Sequence, residues 1–486
     1  MTPVSMPLVF NFGVAMPEIV LAGAACLILV GDQFVADRRR QISYWLTQLA
    51  LLAAGTLSLW LFHDETPLRA LGGMFVADQL ASVLTIFSCV AVSLMLFYSR
   101  SYLVARGLFR GETFVLALTS LLGMLVMIAA NSFVTLYLGL ELMSLSLYAM
   151  VALQRESERA IEAAMKYFVL GALASGLLLY GLSMIYGATG TLDIGGAADA
   201  MVHGHPNRTI LLFGLVFVIS AIAFKLSAVP YHMWVPDVYE GAPTAVTLFI
   251  GTAPEFAAFA FAVRLLVGAM SAFVIEWQGM LLVLSLLSMI LGNVVAIAQT
   301  NIKRMLAYST IANMGFMLMG LLAANNDGYS AAMFYIVSYV LAALVGFGIV
   351  LLLSREGFEA DRLDDLKGLN QRSPWYAFMM LLTMFSLAGV PPTVGFYAKF
   401  SVIWAAVDIG FVWLAVIAVM TSLVGAFYYL RIVKLMYFDD PVDKEPLQAR
   451  GDTRLLLSVN GLALLLLGIF PQSLMGLCAL ALTHSY

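Results

Sequence analysis

Long apolar runs follow one another along almost the whole chain, and this feature most limits what the chain can fold into. About fourteen runs are long enough for a spanning helix, which needs roughly 20 mostly apolar residues. They are centred near residues 22, 52, 88, 121, 142, 176, 219, 256, 286, 313, 341, 390, 422 and 467. Of the 486 residues, 62% are hydrophobic and only 11% are charged, whereas a soluble domain is about one quarter charged. The sequence therefore predicts an all-α polytopic membrane protein.

Composition also argues against several classes of site. The net charge is only -4, and the chain has no run of basic residues for nucleic-acid binding. Cys26, Cys89 and Cys478 lie in separate apolar runs, and the five histidines form no ligand pair. We therefore expect no nucleic acid, no metal site and no disulfide framework. The chain has no glycine-rich nucleotide loop at a strand–helix junction, so we also expect it to bind no cofactor.

Lysine and arginine are distributed unevenly between alternate connections, which predicts the orientation. Most of the 25 Lys and Arg residues lie in one set of connections, for example Arg38, Arg39, Arg40 and Lys444. The opposite set holds only Arg69 and Arg208, with Arg264 close to a helix end. Cytoplasmic loops carry the excess of positive charge. We therefore expect both termini on the non-cytoplasmic side of a bacterial plasma (inner) membrane.

Two similar proline-containing segments, Leu226–Pro230 and Leu387–Pro391, lie in the seventh and twelfth predicted spans. Five spans separate equivalent positions, so the two copies would be inverted. Interrupted helices at matching places of inverted repeats are typical of a transport site, although each segment alone would suit an ordinary proline kink. The pattern predicts discontinuous seventh and twelfth helices and four regions. These are an N-terminal three-helix segment (1–110), two inverted five-helix repeats (111–270 and 271–438), and a C-terminal loop with the last helix (439–486).

A few ionisable residues lie well inside the apolar runs, where a charge costs about 2.5–3.5 kcal/mol on insertion scales. They are Glu141, Lys225, Glu255 and Lys399. Acid and base alternate along the chain, and buried glutamates and lysines can exchange protons near neutral pH. This favours a proton relay over static ion pairs that only fix helix register. His232, two residues after Pro230, is equally compatible with the relay and with a simple hydrogen-bonded role. Further polar residues could hold water between half-channels or only join helices: Tyr308, Asn313, Ser338 and Tyr339.

Four longer motifs carry a family resemblance. They are Leu136–Leu147, Phe224–Pro243, Gln299–Ser309 and Leu387–Phe400. Together they resemble the antiporter-like membrane subunits of bacterial NADH:quinone oxidoreductase, respiratory complex I, which are related to Mrp-type cation/proton antiporter proteins. The resemblance spans nearly the whole chain. The length, without a long C-terminal lateral helix, suits the subunit N family best.

The resemblance implies a fourteen-helix fold in which Glu141 and Lys225 form a coupled pair and Lys399 serves the outward half-channel. It implies that NADH, FMN, iron–sulfur clusters and quinone are used by other membrane and peripheral subunits, which would be the partners of this chain. At Glu255 the family usually has lysine. We expect Glu141 and Glu255 to compete for Lys225, so that Glu255 is a neutral, protonated member of the relay.

Three functions remain open from the sequence. The first is a proton-translocating subunit of NADH:quinone oxidoreductase, a translocase in which this chain holds no redox centre. The second is an Mrp-type secondary cation/proton antiporter subunit. The third is a membrane scaffold whose charges serve only assembly.

Overall fold

The computed structural model of the chain describes residues 11–34, 40–62, 67–204, 206–441 and 445–483. Nearly all of this structure is α-helical. Arg38, Arg39 and Lys444, which contributed to the predicted orientation, lie outside the described residues.

The helices follow one another with short connections, as the succession of apolar runs predicts. They are α1 (Met16–Gly31), α2 (Gln41–Leu61), α3 (Gln79–Ala105), α4 (Gly111–Ile128), α5 (Phe133–Val151), α6 (Glu158–Thr189), α7 (Ile194–His203), α8 (Arg208–Lys225), α9 (Trp234–Gly241), α10 (Thr244–Ile250), α11 (Ala253–Val263), α12 (Val274–Ile297), α13 (Ile302–Leu321), α14 (Asn326–Leu353), α15 (Leu369–Arg372), α16 (Pro374–Ala388), α17 (Val394–Asp408), α18 (Val412–Phe438), α19 (Gly451–Ile469) and α20 (Gln472–Thr483). One small antiparallel hairpin pairs β1 (Leu68–Ala70) with β2 (Phe75–Ala77), and Leu68 lies opposite Ala77.

Within the described ranges, 12 helical segments are long and apolar enough to cross a membrane. The two other predicted positions are occupied by α13, whose first turn contains Lys303 and Arg304, and by the α16–α17 pair, whose helices have 15 residues each. The chain is thus a polytopic, all-α membrane protein. The last span lies earlier than predicted, because α19 ends at Ile469 and Pro471 precedes α20. Apolar residues on both sides of that proline made two helices look like one.

The discontinuous seventh and twelfth helices are confirmed. Helix α8 ends at Lys225 and α9 begins at Trp234, while α16 ends at Ala388 and α17 begins at Val394. In the first break, the Val229 amide donates to Ser288 Oγ of α12 at 2.9 Å. A backbone break at membrane depth is tolerated where protein satisfies the freed groups in this way. The eighth span is also interrupted, between α10 and α11, which the sequence analysis missed.

The most enclosed part of the molecule is the eighth span, Thr244–Ala269, which ends in a π-helical turn from Arg264 to Ala269. Every residue in its apolar window is buried, and α11 packs against α3, α4 and α14. This span places Glu255 in the interior, away from lipid.

Two helix pairs pack with backbones in close approach, α4 with α5 and α12 with α13. A Cβ on Gly123 would lie 2.3 Å from Met143 N, and one on Gly292 would lie 2.7 Å from Ala312 N. Small residues permit such approach between membrane helices. In both 111–270 and 271–438 a tightly packed pair precedes a long helix and a broken one. The inverted relation of these ranges, and the boundaries at 110, 270 and 438, stay predictions.

Candidate functional site

The first cluster joins α5 to the broken seventh helix. Glu141 and Ser144 lie three residues apart on α5, and therefore on one face of it. Lys225, the last residue of α8, donates from Nζ to Ser144 Oγ at 2.7 Å. The charges of Lys225 and Glu141 interact, but no salt bridge within 4.0 Å joins these two described residues. Ser144 is therefore the direct partner of Lys225.

Glu141 is half-buried and is held from a second side by α6. Ser175 of α6 donates to the Glu141 carboxylate, and Tyr137 lies one turn earlier on α5, on the same side as Glu141. Ser175 further donates to Tyr137 Oη at 3.4 Å. Hydroxyl groups that both donate and accept therefore surround this carboxylate.

Glu255 lies in the first turn of α11 and is only 3% exposed. Its Oε2 atom has no hydrogen-bond partner among the described residues. Glu255 interacts electrostatically with Tyr167, Tyr239 and Tyr339. The electrostatic interaction found at Lys225 is with Glu141. The competition of two acids for Lys225 stays a prediction; the electrostatic interactions of Glu255 are with these tyrosines.

Tyrosines connect the first cluster to Glu255. Tyr148 of α5 lies one turn after Ser144, and its ring meets Tyr167 of α6 edge-on with ring centroids 4.6 Å apart. Tyr167 in turn stacks on Trp234 at 4.5 Å and interacts with Glu255. Hydroxyl groups thus lie along the way from Ser144 to Glu255.

A polar group of α13 and α14 side chains lies on the other side of Glu255. Tyr339 and Thr310 share a hydrogen bond of 2.7 Å, and Tyr335 Oη donates to Asn313 Oδ1 at 2.7 Å. A small cavity is lined by Asn313, Ser338, Tyr339 and Lys399, and the centre of a water molecule can occupy about 10 Å³ of it. That is about the room one buried water needs. The sequence analysis singled out Asn313, Ser338 and Tyr339; Tyr308 does not line this cavity.

Lys399, on α17, is the last charged residue of this group along the chain and is 8% exposed. Its Nζ donates to Ala388 O at 3.1 Å and to Ser422 Oγ at 3.0 Å. Nζ also lies 4.9 Å from the centre of the Phe316 ring. Ala388 is the last residue of α16, and a helix end leaves its last carbonyl oxygens without helical partners. The break in the twelfth helix therefore supplies an acceptor for this lysine.

His232 lies in the first break and is half-buried. Its Nδ1 has no hydrogen-bond partner in the described part of the chain. Its backbone carbonyl accepts from Val235 N at 3.0 Å. No hydrogen bond or salt bridge joins the His232 side chain to Glu141, Lys225, Glu255 or Lys399 among the described residues. Its part in the relay stays a prediction.

The sequence analysis missed the hydroxyl partners of the charged residues. Ser144 could have been found, because it lies on the same helix face as Glu141. Ser175 and Ser422 could not, because they lie on other helices and follow no motif that marks them. The residues brought together here can accept, hold and release protons, since carboxylates, amines, phenols and hydroxyls all exchange them.

Comparison with known proteins agrees with this geometry. Residues 130–425 match the family model described as "NADH:quinone oxidoreductase/Mrp antiporter, TM". Residues 27–128 match "NADH-ubiquinone oxidoreductase chain 4, amino terminus". The chain is 59% identical to "NADH-quinone oxidoreductase subunit N" of Thiobacillus denitrificans over 99% of its own length and 100% of that protein. It is 57% identical to the protein of the same name from Nitrosomonas europaea, over 98% of each chain.

Solved structures show the same architecture. A chain of "Respiratory complex I from Thermus thermophilus with bound Aureothin" has a TM-score of 0.82 and 30% identity, covering 95% of this chain and 99% of that one. A chain of the Mrp complex from a Dietzia species has a TM-score of 0.85 at 21% identity, covering 97% of each; at this identity the likeness shows the fold alone. The chain belongs to the NADH:quinone oxidoreductase/Mrp antiporter family of membrane proteins, and within it to the subunit N group of the NADH-quinone oxidoreductases.

Proposed function

We propose that the chain is a proton-translocating membrane subunit of NADH:quinone oxidoreductase. The observation that carries the proposal is the buried line of proton-exchanging groups: Glu141, Ser144, Lys225, Tyr148, Tyr167, Glu255, Tyr339, Thr310 and Lys399. Ionisable residues inside a membrane protein are costly and usually mark an ion path. The names of the relatives at 59% and 57% identity support the same function.

In this function the chain moves protons and other subunits move electrons. NADH, FMN, iron–sulfur clusters and quinone are used by partner subunits of the complex, and the antiporter-like subunits are the nearest partners in the membrane. The excess of Lys and Arg in alternate connections orients both termini to the non-cytoplasmic side of the inner membrane.

A proton would move along the line by short transfers. Lys225 holds a proton while Glu141 is negative, because their charges attract. When Lys225 releases its proton, the hydroxyls of Ser144, Tyr148 and Tyr167 can pass it towards Glu255. From Glu255, the Tyr339 and Thr310 hydroxyls and one water in the neighbouring cavity lead to Lys399. Ser422, which is only half-buried, lies next to Lys399 on the way out.

Glu255 can replace a lysine in this role because a carboxylic acid also carries one proton. The charges are shifted relative to a lysine: Glu255 is neutral when it carries the proton and negative when it does not. The absence of a hydrogen-bond partner at Oε2 among the described residues suits a loaded, neutral acid better than a carboxylate, since a buried charge without a partner is strongly unfavourable.

An Mrp-type secondary antiporter is the second candidate, favoured by the fold likeness to the Mrp complex. The lysines argue against a metal-cation path, because the positive charges of Lys225 and Lys399 would repel sodium or potassium along the line.

The test uses the intact complex in inside-out membrane vesicles. NADH oxidation and proton uptake are measured together for Lys225→Ala and Glu255→Gln. The control is Lys434→Ala, because Lys434 is exposed and, among the described residues, forms a salt bridge with Asp439 at 3.1 Å. We expect both line variants to lower proton uptake per NADH, since loss of a positioned proton carrier slows transfer by about 10²-fold or more. Unchanged uptake in Lys225→Ala would favour a scaffold. Unchanged uptake in Glu255→Gln would remove Glu255 from the relay. Uptake driven by sodium or potassium without NADH would favour the antiporter.

A further inference from the structure

An apolar groove runs between α2, α3 and α19, away from the proton-exchanging groups. Its volume is about 320 Å³, and ligand sites have volumes of about 300–1,000 Å³. Most of its lining is aliphatic or aromatic, including Leu51, Leu59, Ile86, Leu94, Phe97 and Leu456. Leu52, Leu59 and Val90 of the lining are exposed, so the groove opens on the outer surface of the helical bundle.

The polar side chains in the groove bond to groups of the chain itself. Ser93 Oγ donates to Gln48 Oε1 at 2.7 Å, and Gln48 Nε2 donates to Tyr44 Oη at 3.2 Å. Thr56 Oγ1 donates within its own helix, to Ala53 O at 2.9 Å. Because these groups already have partners, the groove offers an occupant mainly apolar contacts.

The groove is about as long as one leaflet of a membrane is thick. On α2 its lining runs from Gln48 to Leu59, and on α3 it runs from Ile86 to Phe97. Each stretch covers eleven residue steps, or about 16 Å at a rise of about 1.5 Å per residue. Half of the hydrocarbon core of a bilayer is about 15 Å thick. A spanning helix of a partner subunit would need a groove through both leaflets, so the length favours an acyl chain from one leaflet.

A cluster of charged and aromatic side chains lies at one end of the groove. One turn beyond the lining, the three helices carry Trp45, Arg100 and Asp452. These residues are three or four positions from the lining residues of the same helix faces, Gln48, Phe97 and Leu456. The Arg100 guanidinium lies over the rings of Tyr44, at 4.6 Å, and Trp45, at 5.8 Å. Trp45 is 47% exposed, and tryptophans of membrane proteins are enriched at the level of the lipid head groups. This end of the groove therefore lies where a head group would be.

Positive charge exceeds negative charge in this cluster. Arg100 Nη1 lies 3.7 Å from Asp452 Oδ2, too far for a hydrogen bond, although the Arg100 side chain is only 6% exposed. Arg450, which is exposed, lies 3.4 Å from Asp452 Oδ1 through Nε and interacts electrostatically with Tyr44. Two guanidinium groups thus share one carboxylate, and among the described residues the Arg100 guanidinium makes no hydrogen bond. Buried donors nearly always have partners, so this arginine pair suits an anionic group from outside the chain.

We propose that the groove binds one anionic phospholipid of the membrane, with an acyl chain between α2, α3 and α19 and the phosphate beside Arg100 and Arg450. Basic pockets between membrane helices on the cytoplasmic side bind anionic head groups. By the distribution of Lys and Arg, the charged end of the groove faces the cytoplasm. A lipid held here joins the N-terminal helices α2 and α3 to the C-terminal helix α19. The inference concerns the surrounding membrane and does not depend on the proposed function.

The experiment uses the intact complex, purified in detergent, and a phosphatidylglycerol probe with a photoreactive diazirine in one acyl chain. After illumination, mass spectrometry of the peptides locates the labelled residues. We expect label on the lining residues of α2, α3 and α19. Unlabelled phosphatidylglycerol should compete with the probe much better than phosphatidylcholine, whose head group has no net charge. Absence of label from these helices, the result expected if a partner subunit covers the groove, overturns the proposal, and so does equal competition by the two lipids.

Gly55→Leu fills the groove without changing the charged cluster. A Cβ on Gly55 would lie 3.8 Å from Cys89 Cβ, an ordinary contact, and the rest of the leucine would extend into the groove that both residues line. The matched control is Gly23→Leu, at an exposed position of α1 where a Cβ would have nothing within 4 Å. We expect labelling to fall in Gly55→Leu and to stay at the parent level in Gly23→Leu. Equal labelling of the two variants overturns the site.

Arg100→Gln tests the end of the groove at which the phosphate is placed. At limiting probe we expect labelling to fall about fivefold, the effect of one arginine close to an anionic lipid. The control is Arg155→Gln, because Arg155 is exposed and its salt bridge with Glu112, at 3.4 Å, lies outside the groove. Equal labelling of Arg100→Gln and Arg155→Gln overturns the role of Arg100. If Arg100→Gln does not assemble, Gly55→Leu and the lipid competition decide the question.

Discussion

Replacing Arg264 by methionine is expected to destabilise the chain by about 3–5 kcal/mol, because it leaves a buried carboxylate unpaired. Arg264 begins the π-helical turn after α11, and Asp78 immediately precedes α3. Nη1 and Nη2 of Arg264 lie 2.6 and 2.9 Å from the two oxygens of Asp78. The side chains are only 6% and 2% exposed. Arg264 Nε also donates to Ile128 O at 3.2 Å, so one guanidinium joins the ends of three helices.

A double-mutant cycle of Arg264 and Asp78 measures how much of the expected loss of stability comes from their pairing. Asp78 also accepts from Ala81 N at 2.8 Å and so caps α3. Asp78→Asn retains a good capping residue, since asparagine and aspartate are about equal at this position, and it therefore isolates the loss of charge. Each single variant leaves one buried charge without its partner. The double variant removes both charges and should be less destabilised than either single one, because replacing a whole buried pair is often nearly neutral.

The assay is the rate of thermal inactivation of NADH:quinone reduction in the purified complex, since large membrane assemblies unfold irreversibly and their stability is a rate. Arg155→Met is the control, because its salt bridge with Glu112 is 75% and 56% exposed and should contribute at most about 1 kcal/mol. Faster inactivation of the double variant than of both single variants would refute the reasoning. Equal rates for Arg264→Met and Arg155→Met would refute it as well.

Two further predictions concern the line itself. Gly171→Ala should impair assembly or pumping, because its Cβ would lie 1.8 Å from Tyr148 Oη. Gly176 lies on the same helix, and a Cβ there would have nothing within 4 Å, so Gly176→Ala should have no such effect. The yield of the complex and the proton uptake per NADH measure both variants. Ser422→Ala should alter proton uptake with normal assembly, because it removes the 3.0 Å hydrogen bond from Lys399, and bonds to charged groups contribute about 1.5–3 kcal/mol.

The control for Ser422→Ala is Ser401→Ala. In the part of the chain that the structure describes, the Ser401 hydroxyl donates within its own helix, to Ala398 O at 2.9 Å. If the two serine variants pump alike, Ser422 is not a working partner of Lys399. If both glycine variants assemble and pump alike, the packing of Tyr148 against Gly171 does not constrain the line.

The sequence by itself determined the class of fold and two of the places where its helices are broken. Lipid offers the backbone no hydrogen bonds, so each apolar run had to become a helix, and the prolines at 230 and 391 had to interrupt two of them. The cost of an intramembrane charge also made Glu141, Lys225, Glu255 and Lys399 visible as candidates. The break before α11 was missed because its apolar run is continuous, although Pro254 stands in the first turn, where proline suits a helix start.

Only the tertiary structure decided which side chains meet. Arg264 and Asp78 are 186 residues apart in the chain, and Ser422 reaches Lys399 from another helix. The rotation and depth of α11 turn Glu255 towards Tyr167, Tyr239 and Tyr339. Periodicity and apolar length describe one helix at a time. The partner of a buried charge depends on how neighbouring helices are rotated and placed against each other, and packing between distant segments sets that rotation.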